Sequence, residues 1–321
     1  AVYFEESKHF ENFLISNGDI LLAMSGATTG KIGRYRYPFK SYLNQRVGKF
    51  QIIKNSLIDF DFLNHLVHSN IFTKNTMIDA IGGAQPNISS SQVEGVFYRI
   101  PPLPEQKKIA SILTSVDEVI ENTQKQIDKL QDLKKATMNE LLTKGIGHTE
   151  FTDSELGWIP KSWEVISVGQ YSKSIVPGRN KPASLDGKIP WITITDLEKF
   201  SVSKSKQNLG VDRNILKSAG GKTVPVRSVI LSVVGEFGIS SLAEVELVIN
   251  QQLHGFVCDE ELHPEYLCFS IRHAKRQLER LSTQTTISYL NKENVESLKI
   301  VLPPLGEQYV IAEILLSIMH Q

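Results

Sequence analysis

The chain has 321 residues, of which 41% are apolar, and its formal net charge is zero. That length and apolar content suffice for about two domains with hydrophobic cores. A neutral chain has no general attraction to nucleic acid or membrane, so any anion-binding surface must be local. Two cysteines exclude a disulfide framework and favour the cytoplasm, and no apolar run reaches the roughly 18 residues of a membrane span.

The first informative stretch is GDILLAMSGATTGKIGRY, residues 18–35. It resembles the phosphate-binding loop G-x-x-x-x-G-K-[ST], which cradles nucleotide phosphates. The spacing differs, however, because Ser25 stands where the first glycine is needed and Ile32 where the magnesium-binding hydroxyl is needed. We therefore predict a strand, a glycine turn and a second strand, whose turn can still contact phosphate.

The sequence repeats itself at an offset of roughly 200 residues, which indicates two copies of one α/β domain. Matching segments occur in the same order in both copies: 19–33 and 228–241, 41–52 and 247–258, 61–70 and 264–274, 82–96 and 282–298, and 98–113 and 299–315. Residues 157–208 have no counterpart before Ala1. We therefore expect the first copy to lack its N-terminal part and the second helix to be truncated.

A long helix is predicted from about Pro104 to Lys144, where a C-cap glycine follows. It carries a coiled-coil seam at Ile109, Ile112, Val116, Val119, Leu130 and Leu133. The expected partner is a second helix beginning at Leu305, with an apolar side formed by Val310, Ile311, Ile314, Leu315 and Ile318. The two helices would form a rigid spacer of about 60 Å between the domains.

Four motifs carry a family resemblance: PPLPEQKKIASIL (101–113), PPLGEQYVIAEIL (303–315), GWIPKSWEV (157–165) and IPWITITDL (189–197). With two variable domains and two long helices, the chain resembles the specificity subunit of type I restriction-modification enzymes. The implied fold is α+β, with two repeated α/β target-recognition domains spaced by long antiparallel coiled-coil helices. The expected parts are domain one (1–100), a first spacer helix (101–146), domain two (147–300) and the start of a second spacer helix (301–321).

The resemblance implies a subunit that catalyses nothing itself. Each target-recognition domain would read one half of a bipartite site in double-stranded DNA, and the helices would set the half-site spacing. The helices would also dock two methyltransferase subunits, and restriction subunits would join them. S-adenosylmethionine, ATP and Mg²⁺ would be used by those partners, with no cofactor or metal in this chain and no membrane contact.

The residues themselves favour a reader over an enzyme. The sequence contains no [ND]-P-P-[YF] motif for methylating a flipped base, no glycine-rich S-adenosylmethionine loop and no pair of Walker motifs. The group His254, Cys258, His263 and Cys268 matches no standard zinc spacing. The remaining alternatives are a truncated or half-length specificity subunit that self-associates, a scaffold that does not read DNA, and a solitary nuclease or methyltransferase.

Candidate DNA contacts are polar residues in loops, since Lys, Arg, Ser, Thr, Asn and Gln supply most phosphate and base contacts. In domain one these are Thr28, Thr29, Lys31 and Arg34 in the opening turn, Arg46, and Gln85, Asn87, Ser89 and Ser90 in the late loop. In domain two they are Arg179, Asn180, Lys181, Lys222, Thr223, Gln252, Thr283, Gln284, Thr285 and Thr286.

Asn44 and Asn250 occupy matching places in the repeat, so we predict a backbone hydrogen-bonding role for both. Arg46 and Gln252 differ at matching places, which makes them the better candidates for sequence specificity. Two further sets are expected to be structural: Trp158, Trp163 and Trp191 in the core, and His65 and His68 on a helix surface.

Overall fold

The computed structural model describes residues 8–54, 57–77, 87–178, 180–283 and 288–319. The chain divides into two compact units, residues 1–127 and 128–321. The boundary between the units falls within the predicted spacer helix, so this helix contributes residues to both units.

The first unit contains small antiparallel sheets, short helices and the beginning of a long helix. Its elements are a 3-10 helix at Lys8–Phe13, β1 (Leu14–Ile15), β2 (Ile20–Ala23), β3 (Ile32–Arg34), β4 (Ser41–Tyr42), β5 (Val47–Lys49), α1 (Phe60–His68), α2 (Asn70–Met77), α3 (Ser90–Glu94) and α4 (Leu103–Lys144). Strand β2 lies between β3 and β5, and β1 pairs with β4. The predicted strand–turn–strand at residues 18–35 is confirmed, with Ile20 opposite Arg34.

The second unit is larger and has more extensive sheets. Its strands are β6 (Phe151–Ser154), β7 (Gly157–Pro160), β8 (Glu164–Ser167), β9 (Ser172–Ile175), β10 (Ile189–Ile192), β11 (Ser201–Val202), β12 (Gly210–Val211), β13 (Val229–Ser232), β14 (Ser240–Ala243), β15 (Val248–Ile249), β16 (Leu253–Cys258) and β17 (Lys299–Leu302). Its helices are α5 (Arg213–Ser218), α6 (Pro264–His273), α7 (Lys275–Leu281), α8 (Lys292–Glu296) and α9 (Leu305–Met319), with 3-10 helices at Val168–Gln170 and Ile194–Asp196.

A five-stranded sheet in the order β11-β14-β13-β16-β9 organises this unit. Strand β13 is buried at every residue, and it packs with α6, which contributes Tyr266 and Phe269 to the core. The repeat predicted from the sequence is confirmed by strand pairing. Just as β2 pairs antiparallel with β3 and β5, β13 pairs antiparallel with β14 and β16.

The glutamine of each PPLxEQ motif makes the same buried contacts in both copies. Its side-chain oxygen accepts from the backbone amide that precedes a helix, and its amide nitrogen donates to two carbonyls. For Gln106 the partners are Asp59 N (2.9 Å), Leu57 O (3.0 Å) and Pro101 O (2.8 Å); for Gln308 they are His263 N (2.8 Å), Glu261 O (2.9 Å) and Pro303 O (2.8 Å). The motif thus ties α4 to α1, and α9 to α6.

The long helix is confirmed with nearly the predicted bounds, but its apolar seam is largely uncovered. Within the described residues, Val116, Val119, Leu130 and Leu133 are exposed. Antiparallel pairing with the second helix over this stretch stays a prediction. In α9, Ile311 and Leu315 join the core around α6, and Leu142 from the end of α4 belongs to the same cluster.

Two other structural predictions need correction. Trp163 and Trp191 are buried as predicted, whereas Trp158 is 70% exposed because it alternates outward from Ile159 in the β6–β7 hairpin. His65 is not a plain surface residue. Its Nε2 hydrogen-bonds the Thr114 hydroxyl of α4 at 2.9 Å, whereas His68 Nδ1 contacts the Asn64 carbonyl within its own helix.

Candidate nucleic-acid interface

One edge of domain two is assembled by backbone hydrogen bonds between three segments. The Val233 amide donates to the Gln252 carbonyl at 2.9 Å, and the Leu290 amide donates to the Val233 carbonyl at 2.8 Å. A β-bridge joins Val234 to Tyr289. The end of β13, the turn before β16 and the segment before α8 therefore lie side by side.

Domain one builds the same edge with the same bonds. The Met24 amide donates to the Arg46 carbonyl at 2.8 Å, and the Ile88 amide donates to the Met24 carbonyl at 2.8 Å. A β-bridge joins Ser25 to Asn87. The structure therefore brings together three groups that the sequence only suggested separately, namely the glycine turn after β2, Arg46 and the late loop.

The turns that carry Arg46 and Gln252 are alike in detail. The Asn44 side-chain oxygen accepts from the Arg46 amide at 2.9 Å, and the Asn250 side-chain oxygen accepts from the Gln252 amide at 3.1 Å. This pattern is an Asx turn, in which an asparagine caps the backbone two residues on. The predicted backbone role of both asparagines is confirmed.

In domain two, further loops reach this edge. A Cβ on Gly178 would lie 3.0 Å from Gly221 Cα, and the Gln251 side-chain nitrogen lies 3.5 Å from the Gly178 carbonyl. The loop that carries Asn180 and Lys181 thus approaches both the Gly220–Gly221 turn and the Gln252 turn. Because the two backbones approach so closely, a larger residue at 178 would require the Gly220–Gly221 turn to shift.

A cavity of about 320 Å³ opens between these loops. Trp191, Leu185 and Leu209 form its apolar side, and the polar side chains around it are Asn180, Lys181, Thr193, Asn250, Gln251 and Gln252. Asn180 and Lys181 also border a second cavity of about 420 Å³ against α5. An apolar floor with amide groups at its rim suits the edge of a base pair, since amides bond base edges and apolar atoms contact the thymine methyl.

Several predicted contact residues already hold their own loops. Thr29 Oγ1 donates to the Gly26 carbonyl at 2.7 Å, and Ser89 caps α3 in a reciprocal arrangement with Gln92. Thr283 Oγ1 donates to the Tyr289 carbonyl at 3.0 Å. A hydrogen bond from Thr223, aided by Arg213, lowers the pKa of Glu246. These residues therefore stabilise the conformation of the loops in which they lie.

The remaining predicted residues fall into three groups. Thr28, Lys31, Asn87, Asn180, Lys181 and Lys222 are exposed on the loops where the sequence placed them, and Ser90 is exposed as the first residue of α3. Arg34 differs, since it lies in β3 at the far end of the hairpin, bonds the Gly18 carbonyl and faces the Phe60 ring. Gln85, Arg179, Gln284, Thr285 and Thr286 lie outside the described residues.

Tyr289 is a candidate that sequence reasoning missed. It lies at the centre of the domain-two edge, paired with Val234 and Thr283, and it is 44% exposed. Its counterpart in domain one is Asn87, which was predicted. Aligning the late loops of the two repeats residue by residue would have identified it, because the two residues form equivalent β-bridges. A tyrosine there offers both a ring for stacking and a hydroxyl for phosphate.

Two titratable groups near this edge, His254 and Cys258, have pKa values shifted by burial. Within the part of the chain that the structure describes, no group of three or more His, Cys, Asp or Glu side chains is placed to hold a metal ion. Burial lowers the pKa of His254 to about 4 and raises the pKa of Cys258 to about 12. Neither group is therefore charged near neutral pH. No described helix is long and apolar enough to cross a membrane.

The family model for the type I restriction modification DNA specificity domain matches residues 2–132 and 160–320. The chain is 32% identical over 265 residues to a Methanocaldococcus jannaschii protein named "Putative type I restriction enzyme MjaX specificity subunit"; the alignment covers 80% of this chain and 59% of that protein. It is 29% identical to the MjaVIII specificity subunit of the same organism, over 96% of this chain and 74% of the relative.

Solved structures show the same fold. The S subunit of a type I restriction-modification system from M. genitalium matches with a TM-score of 0.55 and 14% identity, covering 95% of this chain and 77% of that one. A chain from a study of assembly and conformational transition in the type I R-M system matches with a TM-score of 0.59 and 18% identity, covering 96% and 75%.

Proposed function

This chain belongs to the family of type I restriction-modification DNA specificity domains, and we propose that it is the DNA-reading subunit of such a system. Each of its two domains would read one half of a bipartite site in double-stranded DNA. The chain would perform no chemistry. Adenine methylation and ATP-dependent cleavage would belong to partner subunits that bind S-adenosylmethionine, ATP and Mg²⁺.

The observation that carries this proposal is one backbone frame holding different side chains in the two domains. Equivalent amide–carbonyl pairs position Arg46 in domain one and Gln252 in domain two. Equivalent β-bridges position Asn87 in domain one and Tyr289 in domain two. A common frame with variable exposed residues is what reading two different half-sites requires. A scaffold that only spaced two domains would need no such variation.

The small positive charge of domain one indicates that tight DNA binding needs partner subunits. Residues 1–100 contain ten Lys and Arg against eight Asp and Glu, a surplus of two. Because non-specific affinity for DNA grows with the number of phosphates neutralised, this surplus gives weak binding. Methyltransferase subunits that also hold the DNA backbone would supply the remaining affinity.

The exposed apolar residues of α4 support a docking role for the spacer. Val116, Val119, Leu130 and Leu133 lie on one face, and Leu113, Ile120 and Ile127 form an adjacent exposed row. A second spacer helix would cover the first row, and methyltransferase subunits would cover the second. The length of the paired helices would then set the gap between half-sites.

The test is sequencing of methylated bases in cells that express this chain with the methyltransferase subunit of its own system. We expect methyladenine in both halves of a split motif. Methylation in one half only would indicate that the first domain does not read DNA or that half-length subunits assemble. A stable complex without new methylation would reduce the chain to a scaffold and overturn the proposal.

A further inference from the structure

Arg46 and Gln252 are presented by the protein in the same way. Each follows an asparagine that caps its own backbone amide, and each uses its carbonyl to bind the strand next to it. Both side chains are exposed. The main chain therefore fixes where each side chain starts, whatever the side chain is.

The two side chains differ in the base that they suit. An arginine bonds guanine through O6 and N7 with two parallel N–H groups, whereas a glutamine bonds adenine through N6 and N7 with one acceptor and one donor. Among the described residues, the Arg46 guanidinium has no hydrogen-bond or ion-pair partner of its own. Its donors therefore remain for a ligand.

The Gln252 amide is oriented by its neighbour. Asn250 Nδ2 donates to Gln252 Oε1 at 3.2 Å. A carbonyl oxygen accepts two hydrogen bonds, so Oε1 retains a site for the adenine amino group, while the Gln252 nitrogen can donate to N7. One asparagine thus holds both the backbone and the amide plane of the residue that would read the base.

The cavity beside Gln252 adds an independent observation that points to the same base pair. Its apolar side is formed by Trp191, Leu185 and Leu209, at the foot of the loops that carry the amides. A thymine is distinguished in the major groove by its C5 methyl group, which prefers an apolar contact. Adenine read by Gln252 and a thymine methyl over the cavity would together specify one A·T pair.

We propose that Arg46 and Gln252 are equivalent base-reading residues, with Arg46 reading guanine in the half-site of domain one and Gln252 reading adenine in the half-site of domain two. This inference rests on the proposed function and deepens it. It assigns a base to one position of each half-site. It also predicts that exchanging the two residues between the domains exchanges the bases that they read.

The test is a reciprocal substitution in the complex of the full chain with its methyltransferase subunits, read by sequencing of methylated bases. Gln252→Arg should change one base pair of the domain-two half-site from A·T to G·C, with at least about tenfold preference for the new pair. Arg46→Gln should make the opposite change in the domain-one half-site. In each variant the other half-site serves as an internal control and should be unchanged.

The outcomes separate the inference from the proposed function. If the wild-type complex methylates no split motif, the proposed function fails first. If the wild-type motif is found and both substituted proteins keep it, the base assignment is wrong. A new base cannot result from misfolding, so a change of base supports the proposal directly.

Gln252→Ala resolves the case in which Gln252→Arg only loses activity. The alanine variant should accept any base pair at one position of the domain-two half-site. Retention of the original A·T pair by Gln252→Ala would overturn the proposal. Loss of all methylation by both variants would also overturn it, because an exposed side chain that only reads a base is not needed for folding.

Discussion

The indole nitrogen of Trp163 donates a hydrogen bond to the carboxylate of Glu307 at 2.9 Å. The same carboxylate accepts from the Ile146 amide at 3.0 Å and contacts the His148 ring at 2.8 Å. One acidic side chain therefore joins the segment after α4, the beginning of domain two and the first turn of α9. The second PPLxEQ motif supplies this residue as well as the buried Gln308.

Replacing Glu307 with glutamine should destabilise the protein. The amide would turn an N–H₂ group toward donors that now meet an oxygen, which costs about 1–3 kcal/mol in unfolding free energy. Urea unfolding measures the loss. Glu105→Gln is the matched control, since Glu105 holds the same place in the first motif but is exposed. Equal losses in the two variants would contradict the role given to Glu307.

Alanine substitution of a buried motif glutamine should lower the free energy of unfolding more than substitution of an exposed glutamine. Gln308→Ala leaves the His263 amide and two carbonyls without their partner, and we expect a loss of about 2–3 kcal/mol. Gln106→Ala should act similarly on the first unit. Gln131→Ala, on the exposed part of α4, should change stability by less than about 0.5 kcal/mol. A neutral Gln308→Ala would show that water replaces the side chain without cost.

Two glycines after α4 provide a test of packing. Gly145 and Gly147 both have positive φ, at 67° and 72°. A methyl group on Gly145 would collide with Trp163, Glu307 and His148, whereas one on Gly147 would meet open space. Gly147→Ala should cost about 1–2 kcal/mol through the backbone alone, and Gly145→Ala should cost clearly more. Thermal unfolding of the pair measures the difference.

His254 should make stability depend on pH. Burial lowers its pKa to about 4 in the folded protein, whereas an unfolded histidine titrates near about 6.5. Between these values the unfolded state binds a proton that the folded state does not. Stability from this group is therefore complete above pH about 6.5 and falls as the pH drops toward 4.

The measurement is urea unfolding of the wild-type protein and His254→Gln at a series of pH values. The loss between pH 7 and 4 should be smaller in the variant by about 3 kcal/mol. His263 and His273 also have pKa values lowered by burial and are common to both proteins, so they cancel in the comparison. If the free energy of unfolding changes equally with pH in both proteins, His254 is not the cause of the pH dependence.

Asn250 should affect the rate of methylation without changing the motif. Asn250→Ala removes the cap that fixes Gln252, and the loss of about 1 kcal/mol corresponds to about fivefold slower methylation. Asn250→Ser keeps an acceptor for the turn and should retain more activity. A changed base in the methylated motif would instead show that Asn250 reads DNA itself.

The sequence predicted those features that depend on local or repeated patterns. Periodicity, glycine spacing and helix-end residues predict the repeat, the β2–β3 hairpin and the long helix. Trp158 was misplaced because an aromatic residue suggests the core, while the alternation of β7 decides which face it takes. His65 was misplaced because its partner, Thr114, is distant in sequence.

The candidate interface was predicted only in pieces. Polar loops were identified, but their convergence depends on amide–carbonyl pairs such as Val233 with Gln252, which no side-chain pattern encodes. Tyr289 was overlooked because an isolated tyrosine between polar residues gives no signal without the alignment to Asn87. The apolar face of α4 was predicted, yet periodicity alone does not say which helix covers it.

The Asx turns have a consequence for how new specificities arise. The bonds that hold positions 46 and 252 involve their main-chain atoms and the side chains of Asn44 and Asn250, so neither position needs a particular residue for folding. If these positions read DNA as proposed, a substitution there would alter what is recognised at little cost to stability. A host lineage could therefore diversify its restriction target by single codon changes, while the architecture that assembles the complex is inherited intact.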